Sequence, residues 1–508
     1  MFLRTNLPPL ICSCNILLCD FTNFLEGALD QHEPGFIGRQ RELDECRMLL
    51  NKKSATLAVV KGRRRVGKSR LIEEFARGKK FISLTGNWPD DRSTAQSQRD
   101  EFSRQLSLVT DLPDIKADSW YKLFILLAKE VQRGQTIILL DEISWMGSKD
   151  ASFLSTLKNV WESHFKKNAK LIVILCGSVS TWIDKNILSS SGYFGRIAWE
   201  LSLQPLSLRE SSTFLDSVNF KSSPYKKFKI LSITGGIPWY LEQIQGRLNA
   251  NENIKRQCFN SAGVLFREFD RIFSDLFGTR SKAYKKIIKA LVRGSLTYSQ
   301  LAEKSGYKSS GRLSEYLNDL ESAGFLSQDN TWSIRAKKQS DLCRFRLKDN
   351  YLRFYLKYIE PKFEAIKRGE YLDTSMTTLP GYDSIMGLQF ENLVVENRKL
   401  LWEICHIKPE DILMNNPYFQ RKTTTQEACQ IDYLIQTKYH TLYLFEIKFS
   451  RNPIKKLVVQ QVKQKIKHLA LPSNTACLPV LVHVNGVDNS LVEEDYFFRI
   501  IDFNQLLD

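Results

Sequence analysis

The 508-residue chain has no CxxC pair, and its ten cysteines and six histidines nowhere adopt zinc-ligand spacing, which excludes a zinc finger or ribbon and a disulfide scaffold. Scattered thiols suit a reducing compartment, and a cytoplasmic protein is expected. The sequence also lacks an apolar run of membrane-spanning length. The nearest approach, Leu7 to Phe21, is too short and is interrupted by Asn15 and Asp20. Arg4 ahead of it imitates a secretory leader, but no small-residue cleavage site follows, so no stable membrane insertion is expected and residues 1–35 are set aside as an unassigned N-terminal extension. Internal repeats at solenoid or propeller periods are missing as well. Acidic residues are in deficit, 56 Asp and Glu against 73 Lys and Arg, a formal charge of +17. Such a balance points to a polyanionic partner such as nucleic acid, the other reading being a basic surface without a ligand.

What is present is ordinary globular material, 43% hydrophobic and 25% charged, in a chain too long for one core. Two to four domains are expected. After Phe36-Ile37-Gly38-Arg39 a helix is predicted over 41–50, then a buried strand, Thr56-Leu57-Ala58-Val59-Val60, runs into Gly62-Arg63-Arg64-Arg65-Val66-Gly67-Lys68-Ser69. Leu71, Ile72, Phe75 and Ala76 follow at helical spacing. A strand, a glycine loop and a helix in that order form a phosphate cradle, because loop amides at a helix start bind clustered negative charge without side-chain obstruction. Lys68 can reach terminal phosphates, the Ser69 hydroxyl can ligate magnesium, and Arg70 opens the helix. Asp141 ends the apolar strand 136–140, placed to hold the ion through water, and Glu142 to orient or deprotonate an attacking water. ATP with Mg2+ is the expected cofactor. Arg63, Arg64 and Arg65 either guard the phosphates, face a polyanion or form a solvated loop; Ser178 is either a phosphate contact or a helix cap. Arg196 is either an arginine finger, to its own or a neighbouring subunit in a homo-oligomer, or a surface ion pair.

Further strands at 81–85 and 171–175, with helical segments between them, imply a parallel three-layer α/β core over residues 36–205. Helices then dominate: a lid over 206–280 with a turn at Thr234-Gly235-Gly236-Ile237-Pro238, and three short helices with a hairpin at Gly324-Phe325-Leu326 and Trp332-Ser333-Ile334, a winged-helix pattern over 281–345. Ser309, Ser310, Arg312 and Tyr316 are its candidate DNA contacts. A helical connector over 346–384 leads to a last α/β region over 385–508.

There Gln430 to Ile435 and Tyr443 to Lys448 read as adjacent strands joined by a tight turn. Asp432 on one, with Glu446 and Lys448 two apart on the next, is the pattern of a metal-dependent nuclease. Spacing of two puts Glu446 and Lys448 on one face, where carboxylates gather Mg2+ or Mn2+ and the lysine steadies a hydroxide. Glu391, on a preceding helix, is a third candidate ligand beside Asp432 and Glu446. Beyond them, 450–468 holds six Lys or Arg and no acid; as a helix it places Lys456, Gln460, Lys463 and Lys467 on one face beside Val459, Val462, Ile466 and Leu469, able to follow a phosphate backbone. Such a site is either an active nuclease or a binding module that keeps the shape.

These pieces, together with Cys176-Gly177-Ser178 and Asp349-Asn350-Tyr351, resemble the archaeal-type ATPases of the signal-transduction NTPase class, whose C-terminal domain is similar to restriction-endonuclease-like PD-(D/E)xK nucleases. The resemblance runs from about Phe36 to the C-terminus. It implies a P-loop NTPase core with an extra strand between its two Walker strands, a helical lid, a winged helix and a C-terminal restriction-endonuclease-like α/β domain. It also implies Glu142 as catalytic glutamate; Gln460 joins the nuclease constellation by its order after Glu391, Asp432, Glu446 and Lys448. Residue 431 is Ile where the nuclease motif carries proline, and residues 1–35 have no counterpart.

Overall fold

The structure, a computed structural model, describes residues 35–508 apart from 91, 112, 114, 278–279, 308–310, 372–374, 425 and 470. Residues 1–34 of the N-terminal extension and the candidate contacts Ser309 and Ser310 therefore lie outside the described residues. Every strand and helix named here belongs to the unit formed by residues 38–508. No described helix is long and apolar enough to cross a membrane.

The first layer is a five-stranded, wholly parallel sheet: β1 (Thr56–Lys61), β2 (Lys80–Thr85), β3 (Thr136–Asp141), β4 (Leu171–Gly177) and β5 (Ile197–Ser202), in the order β2-β3-β4-β1-β5. Strands β1, β3 and β4 are continuous apolar runs because both faces are covered. β5, at the edge, alternates half-buried and exposed positions instead. β4 pairs with both β1 and β3, so it separates the strand feeding the glycine loop from the strand ending in Asp141. Helices Ala95–Val109, Trp120–Glu130 and Phe153–Ser163 cover one face, where Trp120, Phe124 and Phe153 pack ring against ring.

Helices then run from Leu208–Ser217 to Val264–Phe277, and three more, Ser281–Leu291, Tyr298–Ser305 and Gly311–Ser322, precede an antiparallel pair, β6 (Leu326–Ser333) and β7 (Lys338–Leu347). The hairpin differs from expectation: Trp332 and Ser333 end its first strand, and the second begins at Lys338. The reason is that Trp332 and Ile334 are spent on the C-terminal core. The Trp332 indole donates to Gln436 Oε1 at 2.7 Å, Thr331 Oγ1 donates to the Phe419 carbonyl at 2.7 Å, and Gln436 Nε2 donates to the Ile334 carbonyl at 2.8 Å. Both apolar side chains join the cluster around Tyr418, Ile431 and Leu434.

The C-terminal sheet is mixed: β8 (Ile412–Gln420), β9 (Cys429–Thr437), β10 (Thr441–Lys448), β11 (Ala476–His483) and β12 (Arg499–Asp502), ordered β12-β11-β10-β9-β8. β8, β9 and β10 are antiparallel neighbours; β10, β11 and β12 run parallel, the connection from β10 to β11 passing through helix Leu457–His468. Helix Tyr382–Glu396 is buried along much of its length and packs against β10.

Candidate functional sites

The glycine loop closes between the end of β1 and helix Lys68–Ala76. Gly62 has φ 151° and a Cβ there would meet the Leu203 carbonyl oxygen at 2.5 Å; Gly67 has φ 92°. Both positions need glycine, one for space and both for the left-handed backbone. Lys68 is buried and its Nζ donates to the carbonyls of Gly62 at 3.0 Å and Arg63 at 3.3 Å, folding the ammonium back into the loop. Ser69 Oγ donates to Asp141 Oδ2 at 2.5 Å, which joins the two ends of the site across β1, β4 and β3. A hydroxyl and a carboxylate in contact are hard oxygen donors suited to magnesium, with phosphate and water oxygens to complete the shell.

Glu142 sits at φ 46° immediately after β3, and its Oε2 accepts from both the Ser178 amide at 3.1 Å and the Ser178 hydroxyl at 2.9 Å. Burial pushes its carboxyl above the ordinary range, Lys68 opposing and Asp141 adding to the shift. The Ser178 hydroxyl holds Glu142, and the following short helix takes no side-chain cap, so the cap reading of Ser178 is not what the structure shows.

The three loop arginines divide. Arg63 is buried, pairs with Asp349 at 2.6 Å and donates to the Tyr240 hydroxyl at 3.2 Å. Arg65 forms a two-pronged pair with Glu268, which is 0% exposed, and lies 3.3 Å above the Trp239 ring. Arg64 is half-buried, lowered by its burial and by Arg65, and within electrostatic reach of Glu142. Two of the three are thus anchors to elements more than 170 residues downstream. Arg70 is exposed and pairs with Glu73 at 3.8 Å, and Val66 accepts from Arg39 through its carbonyl at 3.2 Å. Arg196 donates to Glu162 at 2.6 Å, both partly exposed, the ion pair rather than a finger aimed at its own phosphate site. A cavity of about 590 Å³ borders the loop at Arg63 and is walled by Arg39, Leu206, Gly236, Asn350 and Asn392, so one space touches the parallel domain, the helices after it and the C-terminal region.

In the C-terminal sheet Asp432 Oδ2 accepts from the Ile447 amide at 2.8 Å, across β9 and β10. Burial, reinforced by the charge of Glu446, raises Asp432 to about 8. Glu446 is 2% exposed, and each of its oxygens is taken: Lys448 Nζ lies 3.3 Å from Oε1 and Lys465 Nζ 2.5 Å from Oε2. Glu391 feels Arg346, Arg353 and Lys465. The expected ligand trio of Glu391, Asp432 and Glu446 is brought into one electrostatic cluster but not into a metal cage, since no group of three or more His, Cys, Asp or Glu among the described residues is arranged to hold a metal ion. In the helix after β10, Gln460 is exposed, its neighbour Gln461 accepts from Lys448 at 3.3 Å, and Lys465, part of the basic run, reaches Glu446. In the third helix of the preceding group, Tyr316 is buried against Tyr284 and Tyr307, where its ring is spent on packing, while Arg312 is exposed.

A parallel sheet with a strand between the loop strand and the Asp141 strand, a glycine loop cradling Lys68, and Ser69 against Asp141 define a P-loop ATPase domain. Residues 36–244 match the family model described as an ATPase domain predominantly from Archaea. An uncharacterized protein of Methanocaldococcus jannaschii is 25% identical over 363 residues, 71% of this chain and 76% of its own length. Among solved structures, the Walker-type ATPase of Pyrococcus abyssi is 18% identical, with a TM-score of 0.48 over 64% of this chain and 97% of that one. The ORC2 protein of Aeropyrum pernix, in its ADPNP-ADP complexes, is 16% identical, with a TM-score of 0.39 over 67% and 97%.

Proposed function

We propose that the chain is an ATP-binding and ATP-hydrolysing switch that engages DNA, in which the nucleotide state of the phosphate loop sets the disposition of the helical and C-terminal elements. The observation that carries this reading is the pair of buried ties from the loop itself, Arg63 to Asp349 and Arg65 to Glu268. A loop movement on phosphate binding is transmitted through these ties, because breaking a buried ion pair strands a charge at a cost of about 3–5 kcal/mol. Lys68 Nζ donates to the Gly62 and Arg63 carbonyls, which keeps its ammonium at the loop that would cradle the phosphates. Ser69 and Asp141 would hold magnesium, which supplies charge relief to the phosphates. Glu142, positioned by Ser178, orients the attacking water, and its raised carboxyl brings it closer to accepting a proton near neutrality. The 590 Å³ cavity is of a size to take the nucleoside, and its three-sided wall lets each region sense occupancy.

We read residues 206–280 as the lid, 281–345 as a winged helix and 385–508 as a nuclease-like domain that binds rather than cuts. Both Glu446 oxygens are held by lysines, so a divalent ion drawing on Glu446 would have to displace one of them, and this pairing is what favours binding over cleavage. The net charge of +17 supports DNA as the partner. The test is nucleotide binding, hydrolysis and DNA mobility shift, with and without ATP, for wild type, Lys68→Ala and Asp432→Ala. Lys68→Ala is expected to remove nucleotide binding and the ATP dependence of the shift, while Asp432→Ala keeps hydrolysis. DNA binding indifferent to ATP would overturn the switch. Cleavage of DNA with Mg2+ or Mn2+, lost in Asp432→Ala, would overturn the binding-only reading and restore the nuclease.

A further inference from the structure

A second cavity, of about 260 Å³, lies where the turn after helix Ser281–Leu291, strand β7, helix Asn350–Phe354, helix Tyr382–Glu396 and strand β9 meet. Four arginines line it, Arg293, Arg344, Arg346 and Arg353, against a single carboxylate, Glu391. Packing so many guanidinium groups around one space is unfavourable unless something negative neutralises them.

Arg346 is already neutralised, by Asp329 at 2.8 Å and Glu396 at 3.2 Å. Arg353 is not. Only 1% of it is exposed, its Nη1 donates to the Leu388 carbonyl and to Gln389 Oε1, both at 3.1 Å, its Nη2 donates to the Leu347 carbonyl at 2.7 Å, and its Nε has no hydrogen-bond partner. Every acceptor it has is neutral. Burial, with Arg346 beside it, draws it down to about 10; the charges of Glu391 and Asp349 oppose this without outweighing it, and neither carboxylate is a hydrogen-bond partner. Arg344 repeats the pattern: Nη1 donates to the neutral Gln430 at 2.9 Å, the group rests 4.7 Å over the Phe419 ring, and its buried Nε is again unpartnered. Arg293 is exposed at the rim, next to Gly294 and Ser295, where it can meet a ligand entering from solvent.

The position of the cavity says which anion. Gln430 and Asp432 are two apart on β9 and so share a face, and Glu391 both lines the cavity and belongs to the acid and lysine cluster of Asp432, Glu446 and Lys465. An anion among the arginines therefore sits directly beside the nuclease-like cluster. Guanidinium forks match phosphate oxygens in geometry and charge, whereas a carboxylate ligand would meet Glu391 with no more oxygens than two of the arginines can already satisfy.

We propose that this arginine-lined cavity binds a backbone phosphate of a DNA strand, Arg344 and Arg353 holding it from inside and Arg293 from the rim. The site deepens, and rests on, the DNA-engaging reading, and it gives that reading a defined point of contact between the hairpin region and the C-terminal sheet.

The experiment measures binding of a fluorescein-labelled DNA duplex and of inorganic phosphate to the full chain with the phosphate loop filled by saturating ADP, for wild type, Arg344→Gln and Arg293→Glu. The second variant alters only an exposed position, so it folds whether or not Arg344 is structural, and unchanged ADP affinity certifies each. Both variants are expected to weaken DNA binding about tenfold, as loss of a charged hydrogen bond does, with the salt slope smaller by about one counterion, and inorganic phosphate is expected to compete for wild type only. Wild-type DNA affinity and salt slope in both variants would overturn the strand assignment. If phosphate binding were nevertheless lost in them, the occupant would be a small phosphate ligand instead of DNA. Should wild type bind no DNA at all, the DNA-engaging reading falls with the strand assignment, and phosphate binding insensitive to both substitutions removes the anion site too.

Discussion

The two sheets of this chain treat charge in opposite ways. The parallel sheet keeps its strands apolar and puts its chemistry at their ends, where loop amides, Lys68 and Ser69 face the carboxylates of Asp141 and Glu142 across β4. The mixed sheet carries Asp432 and Glu446 on the strands themselves, inside the structure, and neutralises them with Lys448 and Lys465 from its own chain. The first arrangement leaves donors to be completed by a ligand; the second has largely completed itself. On the proposed reading, that contrast separates a site that turns over from one that holds.

The sharpest way to break the contrast is Glu142→Gln, which is expected to lower ATP turnover by about 10²–10⁴-fold with nucleotide affinity unchanged, read by phosphate release against fluorescent-nucleotide titration. Unchanged turnover would show that the first site does not use its glutamate. Next in size, Gly62→Ala adds a Cβ 2.5 Å from the Leu203 carbonyl at a positive φ and is expected to cost about 3 kcal/mol, seen in chemical denaturation. Glu268→Gln, which strands Arg65 over Trp239, is expected to cost a similar amount, about 3 kcal/mol, and to weaken ATP binding although residue 268 touches no phosphate. Normal ATP affinity in that variant would cut the tie between loop and helices. The smallest effect belongs to the second site: Lys465→Met frees one oxygen of Glu446 and should raise Mn2+ affinity, about tenfold, by calorimetry. A wild type that binds Mn2+ as tightly as the variant would show that the lysine does not stand in for an ion.

The legible part of the molecule was the part written contiguously. The glycine loop, its strand and its helix occupy residues 56–76, and the apolar runs ending at Asp141 and Gly177 have both faces covered, so their composition is unmistakable. β5 escaped because an edge strand alternates, and Ile197–Ser202 carries Glu200 and Ser202 on its open face. The partners of Arg63 and Arg65 escaped because Asp349 and Glu268 are brought back only by the tertiary fold. At the second site the strands were readable, yet which residues of the following helix turn toward the acid and lysine pair was not: one residue on a helix is about 100° of rotation, and Gln461 and Lys465 are the ones that reach Lys448 and Glu446. Lys465 hid in a run of lysines whose other members do face solvent. Trp332 was misplaced for a related reason, its apolar character being spent on a neighbouring core and not on its own hairpin.

The seating of Trp332 and Ile334 beneath β8 and β9 bears on how the protein can be divided. A fragment ending before residue 412 would keep every part of the phosphate site yet uncover an indole and its unsatisfied N–H, along with the apolar surface around Ile334. Such a fragment is expected to aggregate, and a cut further upstream, before Leu326, would remove Asp349 and strand the buried Arg63 of the phosphate loop, so neither boundary leaves a self-sufficient ATPase piece.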